Sequence, residues 1–390
     1  MPTNRDGSPY VSYGDFRDYL TLLEDRGMLR RVRAEVDPKH EIGAICAKSL
    51  RMKGPALLFE NIKGYPGAKL ATNVLSTLEQ MALAFGTEPD ERRIYQAIEA
   101  RKKAPIEPRV IESGPCQDEI HRGDQVDLYE FPTPWWHEAD GGRYIGTTAG
   151  VITRDPDTGC YNMGMYRVMI QDKETVTLNI KGSHPIGQIP ARERDGVGAA
   201  THILKHEAAG KAAPLAVAIG MDPSLTFVAA QSVNYEDTPY AEYAFAGGIK
   251  GKPIELVRCA THDLLVPARA EIVLEAEVVP GARAREGLHG ESQGFYGWND
   301  AAFVAKIRAV AHRKDPIHYG LICGCREDYP KFVKYSGLQE RLMAVDGVKD
   351  VYEPDLSGGR CRIVVVSARA DSPADVERIV KAIEETPGES

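Results

Sequence analysis

Tyr161-Asn162-Met163-Gly164-Met165-Tyr166-Arg167 is a β-rich stretch that carries an amide and a guanidinium five positions apart. It opens the run 161–170, and a second β-rich run, 144–153, precedes it. Between them Asp155-Pro156-Asp157-Thr158-Gly159 has the composition of a turn, so the two runs read as a hairpin. Outward from that hairpin more strands are expected at 175–180, 215–219, 225–230, 254–258 and 270–279, with a helix over 197–209. So many strands around few helices predict a barrel-like β domain.

On either side the texture is α/β. Phe16, Tyr19, Leu20 and Leu23 recur at helical spacing and Gly27 supplies a stop, which predicts a helix over 13–27. An extended segment at 29–36, a helix from Asp37-Pro38 carrying Ile42, Ile45, Cys46 and Leu50, strands at 56–59 and 69–74, and helices over 77–84 and 90–101 follow. Residues 102–108, basic with two prolines, read as a linker. After 299 the pattern predicts a helix to about His312, a strand at 317–322, a helix over 329–344, strands at 348–352 and 360–366, and a helix over 374–384. The domain reading is therefore an N-terminal α/β domain (1–110), a central β-barrel domain (111–298) and a C-terminal α/β domain (299–390).

A chain of 390 residues exceeds the usual single core, and 43% apolar with 27% charged residues describes an ordinary globular protein. The net charge of -8 argues against nucleic acid or an anionic membrane as the main partner. Seven cysteines without regular spacing fit a reducing compartment, and no apolar run approaches the roughly 20 residues that span a bilayer. A cytoplasmic address is expected.

Asn162 and Arg167 find chemical complements in distant segments: Ser183-His184, Ala241-Glu242-Tyr243 and Glu286-Gly287-Leu288-His289-Gly290-Glu291. Asn162, His184 and Glu242 make an oxygen- and nitrogen-rich set suited to Mn2+ or Mg2+. Arg167 with Glu286 and Glu291 makes a proton-transfer group, in which one carboxylic acid is kept neutral by burial and by its neighbour's charge. In an unbroken strand Asn162 and Arg167 would face opposite sides of the sheet. Either a bulge at Gly164 realigns them, or a ligand lies across the strand end and is reached from both faces.

These segments in order, together with Tyr13-Gly14-Asp15-Phe16-Arg17, residues 55–61, Gly141-Gly142-Arg143-Tyr144-Ile145, residues 242–247 and residues 266–275, resemble the UbiD-type decarboxylases. The likeness runs from about residue 10 to about residue 310. It implies a central split β-barrel of the flavin-reductase type and a carboxy-lyase that uses prenylated FMN. It also implies reversible, non-oxidative decarboxylation of an aromatic, heteroaromatic or α,β-unsaturated acid. Asn162, His184 and Glu242 fall where the family binds a divalent ion, usually manganese, that clamps the cofactor phosphate. Arg167, Glu286 and Glu291 fall on its Glu-Arg-Glu network, with Glu291 assigned as the acid and Glu286 as its partner, and Thr147 falls where the flavin nucleotide is contacted. A potassium ion near the phosphate is implied in the neighbourhood of Ser232.

The resemblance further implies a flavin prenyltransferase as cofactor supplier and an oligomer, either a homodimer or hexamer. Family members continue further into the C-terminal α/β domain, so residues 299–390 read as a shortened version. The alternative is a cofactor-holding subunit of a hetero-oligomer, completed by a small companion chain. A flavin reductase on a similar barrel is a third reading. The small residues Ser183 and Ser292, beside the proposed metal and acid residues, suggest room for a ring. Cys323-Gly324-Cys325 with His312 and His318 invites a zinc reading, but the spacing matches no finger or ribbon, and inert thiols are expected. His202 and His206, four apart, lack a zincin Glu and read as structural. Trp135-Trp136-His137 after two prolines reads as packing at a domain junction, with a lining role for flavin or substrate as the alternative.

Overall fold

In the computed structural model, residues 11–180, 198–231, 233, 238–291, 294–323, 342–352 and 365–384 are described. The first helix, α1 (Phe16–Asp25), starts where the Asp15 side chain accepts from the Asp18 N–H, and it buries Phe16, Tyr19, Leu20 and Leu23 on one face. That face is the one the 3.6-residue spacing predicts. Strand β1 (Leu29–Val32), helix α2 (Glu41–Arg51) and strands β2 (Ala56–Phe59) and β3 (Lys69–Thr72) follow. Thr77 and Gln80 then form a capping box at the start of α3 (Leu78–Phe85), and Gly86 in the left-handed region ends it. Helix α4 (Glu91–Lys102) and the short strand β4 (Arg109–Val110) lead into the central region.

The central region is built on one long sheet. Its strands are β5 (Glu119–Arg122), β6 (Tyr144–Gly146), β7 (Gly150–Arg154), β8 (Tyr161–Met165), β9 (Val168–Ile170), β10 (Thr175–Leu178) and β11 (Ala213–Ile219), with helix α5 (Ala199–Ala208) before β11. Helices α6 (Pro223–Ala229) and α7 (Ala241–Lys250) and strands β12 (Glu255–Arg258) and β13 (Leu265–Pro267) come next, then the long pair β14 (Ile272–Gly290) and β15 (Tyr296–His312). The strand order is β6-β9-β10-β15-β14-β11-β7-β8, with β5 paired to β15. That order forces curvature. In a flat sheet β8 and β9, six spacings apart, would stand about 29 Å from each other, yet only Tyr166 and Arg167 separate them. Three peptide steps reach about 11 Å at most, so the sheet curls into a half-barrel that brings these strands together.

Two elements differ from the sequence expectation. Residues 299–312, expected as a helix, lie in strand β15, which runs unbroken across position 298. Ala301, Ala302, Ala305, Ala309 and Ala311 give this segment helical propensity. Burial nevertheless alternates, with Phe303, Ala305 and Ile307 inside and Val304, Lys306 and Arg308 further out, and the ladder to β14 and β10 wins over propensity. Residues 225–230, expected as a strand, form the rest of α6 and its C-cap. Asp222 caps this helix by accepting from Ser224 N and Leu225 N, Pro223 fits its first turn, and burial on every side erases the amphipathic period.

After β15 the chain returns to the N-terminal sheet. Strand β16 (Ile317–Tyr319) adds in parallel beside β3, giving the order β1-β2-β3-β16. Arg17 on α1 reaches Glu271 with two hydrogen bonds of 2.8 Å, which ties the N-terminal helix to the start of β14. Strands β17 (Val348–Tyr352) and β18 (Val365–Ala368) and helix α8 (Pro373–Glu384) form a small cluster around Leu342 and Val351. The expected helix over 329–344 falls mostly outside the described residues. Among those described, no helix is long and apolar enough to cross a membrane.

Candidate active site

The turn between β8 and β9 sets the geometry. The β7–β8 ladder runs residue for residue from Tyr161 to Met165, so no bulge occurs at Gly164. The strand ends instead, and Tyr166-Arg167 carries the chain to the other side of the curled sheet. Gly164 is needed for a different reason: a Cβ there would stand 2.4 Å from the Tyr166 ring. The register slip lies across the site, in β14. Glu286 pairs with Asn299 and His289 with Gly297, so three residues oppose two. That extra residue resets the side-chain alternation and lets Glu286 and Glu291, an odd number apart, both reach Arg167.

All three guanidinium nitrogens of Arg167 are engaged. Its Nε and Nη2 donate to the two carboxylate oxygens of Glu286, each at 2.6 Å, and Nη1 donates to Glu291 Oε1. The Asn179 carboxamide lies 3.2 Å from Nε and 3.0 Å from Nη2, with its oxygen assigned toward the guanidinium because a donor there would face only donors. The two acids differ in setting: the Glu286 side chain is 0% exposed and that of Glu291 29%. Burial pushes the Glu286 carboxyl upward, the Arg167 pair and Tyr144 pull it back only in part, and the Glu291 charge adds to the rise. Arg167 itself is raised by Glu286 and Glu291 despite its burial, so the guanidinium stays charged.

A rigid collar surrounds this cluster. Tyr144 Oη donates toward the carbonyls of Gly287 and Leu288 at 3.2 and 3.1 Å, and burial beside Glu286 raises the phenol well above its ordinary value. His289 packs edge-on against the Tyr144 ring at 4.4 Å, and burial and the Arg167 charge hold its imidazole down to about 3. Asp140 accepts from His137 N and Gly290 N, both at 3.0 Å, and Gly141 N donates to Leu288 O at 2.7 Å. Gly141 and Gly287 meet backbone to backbone, and a Cβ on Gly287 would stand 2.7 Å from Gly141 Cα.

At the other end of the stretch lies the opposite situation. Asn162 on β8 and Glu242 in the first turn of α7 are 8% and 6% exposed. The helix that carries Glu242 packs on β8, and the Met163 backbone N–H offsets a little of the rise that burial imposes on the Glu242 carboxyl. Yet among the described residues Asn162 Nδ2 and Glu242 Oε2 have no partner, and burial pushes Glu242 up to about 8. Buried polar atoms are normally satisfied. A buried amide and a buried carboxylate left open on two elements in contact are a donor set that a hard dication fits.

The remaining expected residues divide three ways. Thr147, between β6 and β7, is buried and its Oγ1 accepts from Leu321 N at 2.8 Å. His184, Ser183, Ser232, Ser292 and Cys325 lie outside the described residues. Trp136 is buried against the N-terminal core, and His202 bonds Thr153 Oγ1 at 2.9 Å, both in keeping with packing roles. His318 is fully enclosed and donates through Nε2 to Ile145 O. Tyr144, Asn179, Asp140 and His289 were not anticipated as site residues. Tyr144 sits in the quoted 141–145 stretch, which could have flagged it, whereas Asn179 carries no local signal because its contact depends on how β10 and β9 pair.

Comparison with known proteins identifies the family and the fold. Residues 20–100 match the 3-octaprenyl-4-hydroxybenzoate carboxy-lyase N-terminal domain, and residues 109–326 match the Rift-related domain of the same carboxy-lyase. An evolved dimeric form of the UbiD-class enzyme HmfF from Pelotomaculum thermopropionicum, solved with prFMN, is 29% identical with a TM-score of 0.81, over 96% of this chain and 83% of that one. The vanillic acid decarboxylase ShVdcCD of Sedimentibacter hydroxybenzoicus, in closed form, is also 29% identical with a TM-score of 0.81, over 96% of this chain and 78% of that one. The apo 3,4-dihydroxybenzoic acid decarboxylase of Enterobacter cloacae, at 24% identity and a TM-score of 0.80 over 95% and 78% of the two chains, shares the fold. On the strength of both domain matches, this chain belongs to the UbiD family of carboxy-lyases.

Proposed function

We propose that this protein catalyses reversible, non-oxidative decarboxylation of an aromatic, heteroaromatic or α,β-unsaturated carboxylic acid with prenylated FMN. The observation that carries the reading is the single short stretch joining two unlike centres, an arginine forked between two acids and an open Asn–Glu pair. Asn162 and Glu242, with His184, would hold Mn2+ or Mg2+. That ion would clamp the cofactor phosphate, which the Glu242 charge alone would repel. A potassium ion near Ser232 and a contact from Thr147 belong to the same reading. When bound, the prenylated flavin supplies the electron sink that accepts the pair left as carbon dioxide departs.

The chain's own residues bind, orient and deliver a proton. Of the five guanidinium N–H groups of Arg167, two are committed to Glu286 and one to Glu291. A substrate carboxylate therefore reaches Arg167 by competing for the Nη1 side, where Glu291 is the more exposed partner. Glu286 keeps the guanidinium in place through the exchange. Displaced from Arg167, Glu291 in its acid form would give its proton to the carbon left when the C–C bond to the carboxylate breaks. Tyr144 and His289, both neutral, wall the acid pair without adding charge.

The test is the full chain co-expressed with a flavin prenyltransferase, its released cofactor weighed by mass spectrometry, and carbon dioxide release followed over a panel of benzoic, furoic and cinnamic acids. Unmodified FMN together with no turnover on any acid would sink the reading. A second reading draws on the two-component ShVdcCD, to whose matched chain this one is similar over 78% of its length. A companion subunit would then be required, and cofactor-loaded protein would be silent until that chain is added.

A further inference from the structure

A second cluster of metal-type ligands lies apart from this site, on the edge of the sheet. Glu119 and His121 are two apart on β5 and so share one face. His312, on β15, pairs directly with Glu119 and lies diagonally across from His121, whose own partner is Val310. One ligand atom from each of the three lies within 4.8 Å of the others. His312 Nε2 stands 3.8 Å from Glu119 Oε2, and the two imidazole rings meet edge-on at 5.0 Å.

The hydrogen bonds around the rings are those a metal site uses. His312 Nδ1 donates to Arg313 O at 2.9 Å, which leaves the Nε2 lone pair turned toward Glu119. His121 Nδ1 sits 3.3 Å from Glu130 Oε1, a carboxylate that fixes this ring the same way. Metal-bound histidines characteristically give their second nitrogen to a carbonyl or a carboxylate. Phe131 packs edge-on to His312 at 5.9 Å and holds its plane. Glu119, with a side chain 49% exposed, leaves the approach open to solvent.

We propose that Glu119, His121 and His312 bind one zinc-class dication, with water completing the shell, and that this ion fastens edge strand β5 to β15. Two imidazoles and one carboxylate favour Zn2+, Ni2+ or Cu2+ over Mg2+ and Mn2+, so the site and the Asn162–Glu242 centre select different ions. The other described cluster, Cys259, His262 and Glu275, carries less. Glu275 already accepts from Ala260 N, Thr261 N and Thr261 Oγ1, which closes that turn without a metal.

The experiment is zinc titration of the full-length protein against a chromophoric chelator, in saturating Mg2+ to occupy the hard-ion centre. Wild type should bind one zinc more than Glu119→Gln and His121→Asn, both at accessible positions, with melting temperatures in Mg2+ alone confirming that the variants fold. Zinc should raise the melting temperature of wild type and of neither variant. Glu130→Gln should keep the site with zinc binding weakened about 10–100-fold. Equal zinc stoichiometry in wild type and the folded variants would overturn the proposal, as would zinc bound only at millimolar concentration with no dependence on Glu119.

Discussion

The two ends of residues 161–167 solve the problem of buried charge in opposite ways. At Arg167 the protein supplies its own counter-charges, with Glu286 held by two 2.6 Å bonds and Glu291 alongside. At Asn162 the described residues supply none, leaving Nδ2 and Glu242 Oε2 open. A self-satisfied cluster keeps its geometry before any ligand arrives. An unsatisfied one is completed only by what binds there. On the proposed function the first end serves positioning and the second capture, and that difference can be broken by experiment.

The largest effect should come from Arg167→Met. It leaves Glu286 buried without its partner, and removing one member of a buried pair costs about 3–5 kcal/mol. Urea unfolding should show that loss, and decarboxylation should vanish. Arg167→Lys restores the charge without the planar fork, so stability should return in part while turnover stays low. Were Arg167→Met as stable as wild type, Glu286 would not depend on that guanidinium.

At the other end the sign of the comparison is tested by adding metal. Mn2+ at 100 times its dissociation constant should raise the unfolding free energy of wild type by about 2.7 kcal/mol. Glu242→Gln should lose that gain without a comparable loss in its absence, because the carboxylate it removes has an oxygen with no partner to lose. Equal stabilisation of the two proteins by Mn2+ would remove Glu242 from the capture site. A smaller effect is expected at the collar. Gly287→Ala pushes a methyl to 2.7 Å from Gly141 Cα, an overpacking that costs about 1–3 kcal/mol. Turnover should fall with it, since the strands bearing Glu286 and the 137–141 loop are forced apart.

Much of this was legible in the sequence, and the failures have a common cause. The hairpin at 155–159, the N-terminal helices and the acids at 286 and 291 follow from turn chemistry, local periodicity and motif wording. β15 is not legible locally because its alanines favour a helix, while its fate is decided by pairing with β14 and with β10, the latter more than 100 residues away in sequence. α6 is equally illegible because burial on all sides leaves no periodic stripe. The parity conflict between Asn162 and Arg167 was a correct deduction from strand alternation. Its resolution, a strand that ends before Tyr166, depends on sheet order, which spacing within one segment does not encode. Asn179 is unreadable for the same reason.

The finest test concerns Glu286 alone, where burial and ion pairing pull in opposite directions. Burial wins, so the folded-state pKa lies above the unfolded one. A group of that kind contributes stability that is fully present below the ordinary Glu value and is lost as pH rises through the raised value. Glu286→Gln has no such group. The stability advantage of wild type over Glu286→Gln should therefore shrink as pH climbs from about 4.3, the ordinary Glu value, through the raised folded one, as read by urea midpoints at each pH. An advantage that widened instead would mean that Arg167 lowers the carboxyl more than burial raises it. The positioning end would then owe its rigidity to charge pairing in the ordinary sense, and the contrast with the open Asn162–Glu242 end would be sharper still.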